Sequence, residues 1–276
     1  MKFNHYFFKG VKMKKFITFF ALLFFCVSAH SHKVSMNRNF RTAYKKNFPE
    51  LYSKDPECLG SYFKIFEKYL TKTPVIFEAG GFDGSDTVRF ASEFPDGLII
   101  TFEPNPDSFE KLKNRVQGFD NVWANQLAVN NVNGEVLFYV CHGTYGKDPS
   151  FAGASSVLKP TKNMEIHYMG PRIKVLCVKL DDWCAENRVD YIDFMWLDLE
   201  GLELRVLKGA LEILKSVKII YTETNMFMFR KGTVQYHELK SFLIKHGFKE
   251  VVHWFTPGLQ GNAIFVREEI FEDFIK

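Results

Sequence analysis

The sequence predicts an α/β protein built on a mostly parallel sheet with helices on both faces. Two observations predict it. From Thr73 onward, short apolar runs of strand length alternate with amphipathic stretches of helical period, the pattern of right-handed βαβ crossovers. Near the end, the runs Phe248–Phe255 and 262–266 are separated only by a Pro257-Gly258 turn, so one of them is antiparallel.

The elements follow in order. Val75–Ala79 is a strand of buried type, and a helix is expected over 86–94. Leu98–Phe102 is the next strand, and Pro106–Val116 the next helix, stopped by Gly118. Strands are expected over 122–129 and 135–140, separated by the turn cluster Asn130-Asn131-Val132-Asn133-Gly134. The stretch 141–171, rich in glycine and proline, reads as loop. A strand over 173–178, a short helix over 181–187, a strand over 192–197 and a helix over 202–214 come next. The strand 218–222 and the helix 236–246, ended by Gly247, lead into the last two strands. Ahead of all this, residues 30–72 form an extension with a helix over 59–70, whose Tyr62, Phe63, Phe66 and Tyr69 recur at helical spacing and cover an edge of the core.

The length of 276 residues accommodates one large α/β domain, placed at 73–276, plus extra sequence. With 46% hydrophobic and 25% charged residues the composition is that of a folded chain. The net charge of +4 is unevenly spread. Residues 1–29 contain five lysines (Lys2, Lys9, Lys12, Lys14, Lys15) and no acid, leaving 31 basic against 32 acidic residues elsewhere. That balance excludes the basic footprint of a nucleic-acid binder. The leader itself reads as a signal peptide or signal anchor: Lys14 and Lys15, an apolar run over 16–27, then Val27-Ser28-Ala29 as a small-residue cleavage site. The run falls short of the about 20 residues of a comfortable membrane span. The chain is therefore expected to be exported or held at a membrane through this leader alone, a cytoplasm-facing domain on an anchor being the other topology. Beyond Cys26, the residues Cys58, Cys141, Cys177 and Cys184 match no zinc spacing; they read equally as disulfide partners or as small buried residues.

The strongest chemical signal is the segment Val75-Ile76-Phe77-Glu78-Ala79-Gly80-Gly81-Phe82-Asp83-Gly84-Ser85-Asp86-Thr87. A strand delivers Glu78 to its carboxyl end, glycines make a turn, and a helix begins, which is where open α/β sheets bind ligands. Ala79, Gly81 and Gly84 also fit a relaxed dinucleotide fingerprint, with Glu103 nineteen residues beyond Gly84. Glu78 argues against that reading, since a carboxylate beside the turn repels a pyrophosphate. S-adenosylmethionine carries no phosphate, only an ammonium and a sulfonium, and suits the same turn. Glu103, ahead of Pro104-Asn105-Pro106, is placed to accept both ribose hydroxyl protons, or else to cap the following helix.

A second acidic cluster lies in Asp198-Leu199-Glu200-Gly201-Leu202-Glu203. Asp198 and Glu200 are two apart at a strand end and point the same way while the chain stays extended; crowding of carboxylates raises one pKa and makes a candidate base. Glu203 also suits a helix N-terminus. Glu223 ends the next strand and stands beside Asp198 if the two strands are neighbours. Three carboxylates at adjacent strand ends are compatible with Mg²⁺, but no spacing rule supports a metal, and His167, His237 and His253 show no ligand spacing.

Together these segments resemble the FkbM family of methyltransferases, from about Thr73 to Arg267. The likeness rests on Phe77-Glu78-Ala79-Gly80 with Gly84 and Thr87, on Phe102-Glu103-Pro104-Asn105-Pro106, and on Ala128 with Gly134-Glu135-Val136. It continues through Leu180-Asp181-Asp182-Trp183, the Asp198–Glu203 segment, Leu207-Lys208-Gly209-Ala210, Glu223-Thr224-Asn225 and Gly261-Asn262-Ala263-Ile264-Phe265-Val266. The resemblance implies a Rossmann-like class I sheet of seven strands, the last antiparallel, and S-adenosylmethionine-dependent O-methylation of a small-molecule or glycan hydroxyl. Two departures stand out. Glu78 replaces a more usual aspartate, and Trp196 occupies a position that is lysine in many members, as a subgroup mark or as lining of the acceptor pocket.

The expected division of labour is that Glu78, Gly80, Gly84 and Glu103 hold the donor, with Gln126 or Ala128 near its adenine. Asp198 is the base or orients the acceptor, supported by Glu200 and Glu223. Two alternatives are a nicotinamide-dependent oxidoreductase and an inactive exported binding module that keeps the fold. The second draws on the mismatch between an outward-directing leader and a methyl donor made in the cytosol.

Overall fold

The computed structural model describes residues 33–36, 41–42, 45–46, 66–255 and 260–275; the leader, Cys58 and most of the expected helix 59–70 lie outside them. The strands are β1 (Lys33–Met36), β2 (Val75–Ala79), β3 (Leu98–Phe102), β4 (Val122–Asn125), β5 (Ala128–Asn130), β6 (Gly134–Tyr139), β7 (Arg172–Lys179), β8 (Phe194–Leu197), β9 (Ile219–Asn225), β10 (Phe248–Phe255) and β11 (Gln260–Arg267). The helices are α1 (Ser85–Glu93), α2 (Pro106–Val116), α3 (Leu180–Asn187), α4 (Glu203–Lys208), α5 (Tyr236–Lys245) and α6 (Glu268–Phe274).

The main sheet runs β1-β10-β11-β9-β8-β2-β3-β4. Strands β4, β3, β2, β8 and β9 are parallel, and β11 enters antiparallel between β9 and β10. This is the expected seven-stranded mostly parallel sheet with its antiparallel last strand. β1, from the extension, adds an eighth strand antiparallel to β10.

The central strands are apolar without interruption because both faces are covered. Alternate side chains divide between two cores. Phe77, Met195 and Ile220 join Trp183, Leu207 and Leu243 on one face. Ile76, Phe194, Ile219 and Tyr221 join Phe90, Trp254 and Phe271 on the other.

Several expected elements differ. The single strand expected over 122–129 breaks after Asn125, and β5 leaves to form a separate three-stranded sheet in the order β5-β7-β6. The helix expected over 202–214 ends at Lys208 and resumes as a 3-10 turn at Ile213–Lys215. Gly209 explains the interruption: a Cβ there would stand 2.7 Å from the Asn130 carbonyl oxygen, so the chain crosses β5 at backbone contact. The stretch 141–171 contains two 3-10 segments, Thr144–Gly146 and Pro149–Ala154. The final helix α6 was not anticipated; it is short, and it is held by burial of Phe271 and Phe274. Cys141, Cys177 and Cys184 are buried free thiols, small residues in packed positions.

Candidate active site

Three parallel strands end side by side, and their register aligns the residues that follow. Ala79 of β2 lies opposite Phe102 of β3 and Leu197 of β8. The next residue on each strand is therefore a member of one row: Glu103, Gly80 and Asp198. A cleft of about 480 Å³ opens over this row.

Gly80 makes the row this tight. Its φ is +94°, and a Cβ would fall 2.0 Å from the Asp198 carbonyl oxygen. The amides of Gly80 and Gly81 both donate to the Phe102 carbonyl at 3.0 Å, folding the turn back onto β3. Glu103 then holds the turn from the other side. Its Oε2 accepts from the Phe82 amide at 2.9 Å and its Oε1 from the Asn105 amide at 2.7 Å. Phe82 is in the left-handed region at φ 45°, a conformation this carboxylate secures. Burial pushes Glu103 up to about 8, partly offset by these two amides. Glu103 thus braces the turn, holds the Asn105 amide ahead of α2, and lines the cleft.

Two expected donor residues sit elsewhere. Glu78 does not line the cleft. It alternates to the face covered by α1, where its Oε2 accepts from the Thr87 hydroxyl at 2.6 Å; burial raises it to about 7. It braces the start of α1. Gly84 is also outside the cleft lining; it is the N-cap of α1 at φ 82°, with the space of its missing Cβ 3.0 Å from Leu112 Cα. Of the two adenine candidates, Ala128 lines the cleft, whereas Gln126 is exposed where β4 breaks into β5.

On the β8 side, Asp198, Leu199, Glu200 and Leu202 line the cleft. Glu203 is 1% exposed, and its Oε1 accepts from the amides of Leu199 at 3.0 Å and Gly201 at 3.1 Å, so it shapes the loop that carries Glu200. Asp198 is exposed along the cleft and walled by protein elsewhere. Loss of water, then Glu200 and Glu203, pushes its carboxyl up to about 8. With the cleft open to water the neighbouring carboxylates are the lasting part of this push; a ligand filling the cleft restores the rest.

β8 and β9 are neighbours, with Leu197 opposite Thr222, so Glu223 does stand beside Asp198. It lies behind the cleft lining, buried, accepting from Gln260 at 2.5 Å. Burial first, then Glu200, Asp198 and Glu203, raise it well above the usual range. Among the described residues no group of His, Cys, Asp or Glu has a metal-holding arrangement. His253 is a packing residue, stacked on Tyr236 at 4.0 Å and within 3.0 Å of the Thr224 hydroxyl. Trp196 is not in the cleft either: it stacks on Tyr221 at 3.8 Å, in the core beneath α1.

The opposite wall was read from sequence only as loop. Residues 150–157, together with Leu127, Val129 and Phe138, close the cleft. The one signal for it was Ala152-Gly153-Ala154-Ser155-Ser156, a run of small residues that lets backbone approach a ligand.

The lining discriminates between ligands. It includes Asp83, Asp86, Glu103, Asp198 and Glu200, and no lysine, arginine or histidine. Asp83 and Asp86 turn to Arg115 and Arg89, while Glu103, Asp198 and Glu200 face the cleft. A pyrophosphate finds no side-chain cation in this lining and meets carboxylates instead. A nucleoside bearing positive charge fits: carboxylates for its ammonium, sulfonium and ribose hydroxyls, and an apolar stretch at Leu127, Ala128 and Phe138 for a base. These features are compatible with an S-adenosylmethionine site on a doubly wound sheet.

The chain belongs to the FkbM methyltransferase family: the profile of the Methyltransferase FkbM domain matches residues 78–250. It is similar to the 2-O-methyltransferase NoeI of Sinorhizobium fredii (strain NBRC 101917 / NGR234), with 27% identity over 223 residues, 79% of this chain and 90% of that one. Among solved structures, it is similar to the fibrillarin pre-rRNA processing protein of Methanococcus jannaschii, at 14% identity over 72% of this chain and 68% of that one, TM-score 0.43. It is also similar to Aeropyrum pernix fibrillarin with natively bound S-adenosyl-L-methionine, at 11% identity, 71% and 69% coverage and TM-score 0.43. The protein is an S-adenosylmethionine-dependent methyltransferase.

Proposed function

We propose that the protein methylates a hydroxyl oxygen on a sugar or small natural product, with Asp198 as the base. The observation that carries this is the row Glu103–Gly80–Asp198 under one cleft. It separates a ribose-binding carboxylate from a second carboxylate by the width of one glycine strand. When bound, S-adenosylmethionine supplies a sulfonium methyl for in-line displacement. Glu103 accepts the ribose hydroxyls, and Leu127, Ala128 and Phe138 cover the base. Asp198 takes the acceptor proton as the oxygen attacks, a role that needs its carboxylate form and therefore a pH toward 8 or above. Glu200 orients the acceptor. Glu223 acts from behind as a buried carboxyl held protonated by burial and by its carboxylate neighbours. The 2-O designation of the NoeI relative supports oxygen as the accepting atom. Glu103, Asp198 and Glu200 all line the cleft, so nothing favours the inactive-module alternative.

Calorimetry with S-adenosylmethionine tests the donor half, and mass spectrometry of candidate hydroxyl acceptors for methyl addition tests the other. Glu103→Ala is expected to weaken donor binding at least about tenfold, the equivalent of one charge-assisted hydrogen bond. Asp198→Asn is expected to keep donor binding and lose turnover. Intact turnover in Asp198→Asn removes the base assignment.

A further inference from the structure

Arg230 is buried to 1% exposure, yet it makes no close ion pair. Its guanidinium donates to two backbone carbonyls of the cleft wall, Leu158 at 3.4 Å and Ala154. Its face lies 4.2 Å over the Tyr168 ring. Its Nε has no hydrogen-bond acceptor and stands 3.8 Å from Glu200 Oε2. A buried cation is retained only where its charge is answered, and the answer here is a carboxylate that lines the cleft.

The backbone around Arg230 joins three segments. Pro160 pairs with Arg230 in an isolated bridge, and the Lys231 amide donates to the Lys159 carbonyl at 2.7 Å. On the other side the Val234 amide donates to the Gly201 carbonyl at 3.1 Å. Thr233, hydrogen-bonded to the Arg230 amide at 3.1 Å, occupies the space a Cβ on Gly201 would need. Glu200 itself has φ 54° and Gly201 φ 99°, so the loop is bent to deliver the Glu200 side chain toward Arg230.

We infer that Arg230 is a positioning residue for methyl transfer: one guanidinium fixes Glu200 at the acceptor end of the cleft and ties it to the 154–158 wall. This rests on the reading of the cleft given above. Within the cluster Asp198, Glu200, Glu203 and Glu223, the carboxylate that Arg230 opposes is Glu200. The other titratable groups around Glu200 are Tyr168 and Cys141, both pushed up by burial. Burial raises Glu200 as well, and Arg230 is what pulls it back. Arg230 thus keeps Glu200 ionised and aimed, and an ionised Glu200 in turn holds the Asp198 proton more firmly.

The test is carbon-13 NMR titration of the glutamate carboxyls in the full chain, with Glu200 assigned from Glu200→Gln. In Arg230→Met the Glu200 midpoint is expected to rise by about one pH unit or more. Arg230→Lys, which keeps the charge but not the planar fork, is expected to stay within about half a unit while amide exchange over 154–158 speeds up. An unmoved Glu200 midpoint in Arg230→Met overturns the proposal, as does equal displacement by Lys and Met. If Arg230→Met does not fold, Glu200→Gln carries the same question. Faster exchange at 154–158 supports the tie, and unchanged exchange refutes it. Binding of S-adenosylmethionine to the wild-type chain, measured alongside, reports on the donor site separately, so failure of that reading does not mimic failure of this one.

Discussion

Gly80 offers the sharpest quantitative test, because two separate costs of replacing it can be isolated at other glycines. In Gly80→Ala the new Cβ would lie 2.0 Å from the Asp198 carbonyl oxygen, on a backbone at φ +94°. The conformation alone costs about 1–2 kcal/mol for an L side chain. Forcing β2 and β8 apart to relieve the clash adds about 1–3 kcal/mol. The sum, about 2–5 kcal/mol, corresponds to a fall in Tm of roughly 10 °C for a domain of this size. Gly134 has φ +120° but nothing within 4 Å of a Cβ, so Gly134→Ala carries the first cost alone and should lower Tm by only a few degrees. Gly118 has neither strain nor neighbour, and Gly118→Ala should be neutral or slightly stabilising. Thermal denaturation by circular dichroism ranks the three. The relief of the clash must also move Asp198 relative to Glu103, so calorimetry on Gly80→Ala should show weakened S-adenosylmethionine binding even well below its Tm. A Gly80→Ala variant that melts like Gly118→Ala, or a Gly134→Ala variant as damaged as Gly80→Ala, refutes the reasoning.

Asp198→Asn should lower kcat by about 10²–10⁴-fold, the usual contribution of a general base. In the wild type, kcat should climb with pH through a midpoint near 8, since the carboxyl, raised once ligand fills the cleft, must ionise first; that limb should vanish in the variant. Stability should run the other way with pH. Glu78 is raised from 4.5 to about 7 in the fold, so the folded chain holds its proton more tightly than the unfolded one. The resulting stabilisation, of the order of 3 kcal/mol, is complete below the unfolded pKa and disappears as pH rises through 7. Urea melts at acid and neutral pH should therefore show a smaller difference in Glu78→Gln, with a residual slope from Glu203 and Glu103, which are raised to about 7 and about 8. Trp196→Ala should cost about 3–5 kcal/mol as a buried aromatic and leave the Kd for S-adenosylmethionine unchanged, which checks that this residue belongs to the core and not to the acceptor pocket.

Gly80, Glu103 and Asp198 were legible because each directly follows a strand, and strands of this fold end at the ligand. Their place on the cleft could be read from position alone. Glu78 lies in the same turn motif but inside β2, next to Ala79, and a strand sends successive side chains to opposite faces, so it packs under α1 while Ala79 lines the cleft. Gln126 lies outside the cleft lining because its position depends on where β4 breaks, and nothing local in Val122-Trp123-Ala124-Asn125 announces a break. The wall at 150–157 and Arg230 were invisible for a third reason. Their importance comes from contacts with an |i−j| of 72 and 76 that bring Arg230 to Leu158 and Ala154, and a 3-10 segment of small residues carries no periodicity to read.

The two halves of the cleft are consequently built on different physical principles. The donor half is set by sheet register: moving Glu103 relative to Asp198 requires shifting β2, whose every residue is buried. It cannot adapt without unfolding the core, and the ligand it serves is invariant. The acceptor half is set by loops at 150–157, 199–203 and 229–234, held to one another by Arg230, Thr233 and Glu203 rather than by a ladder. Such a wall can be reshaped by changing loop residues while the sheet stays as it is. Exchange of the 150–157 segment between family members should therefore transfer acceptor preference and leave the affinity for S-adenosylmethionine in place, whereas any exchange that alters the β2–β8 register should remove both.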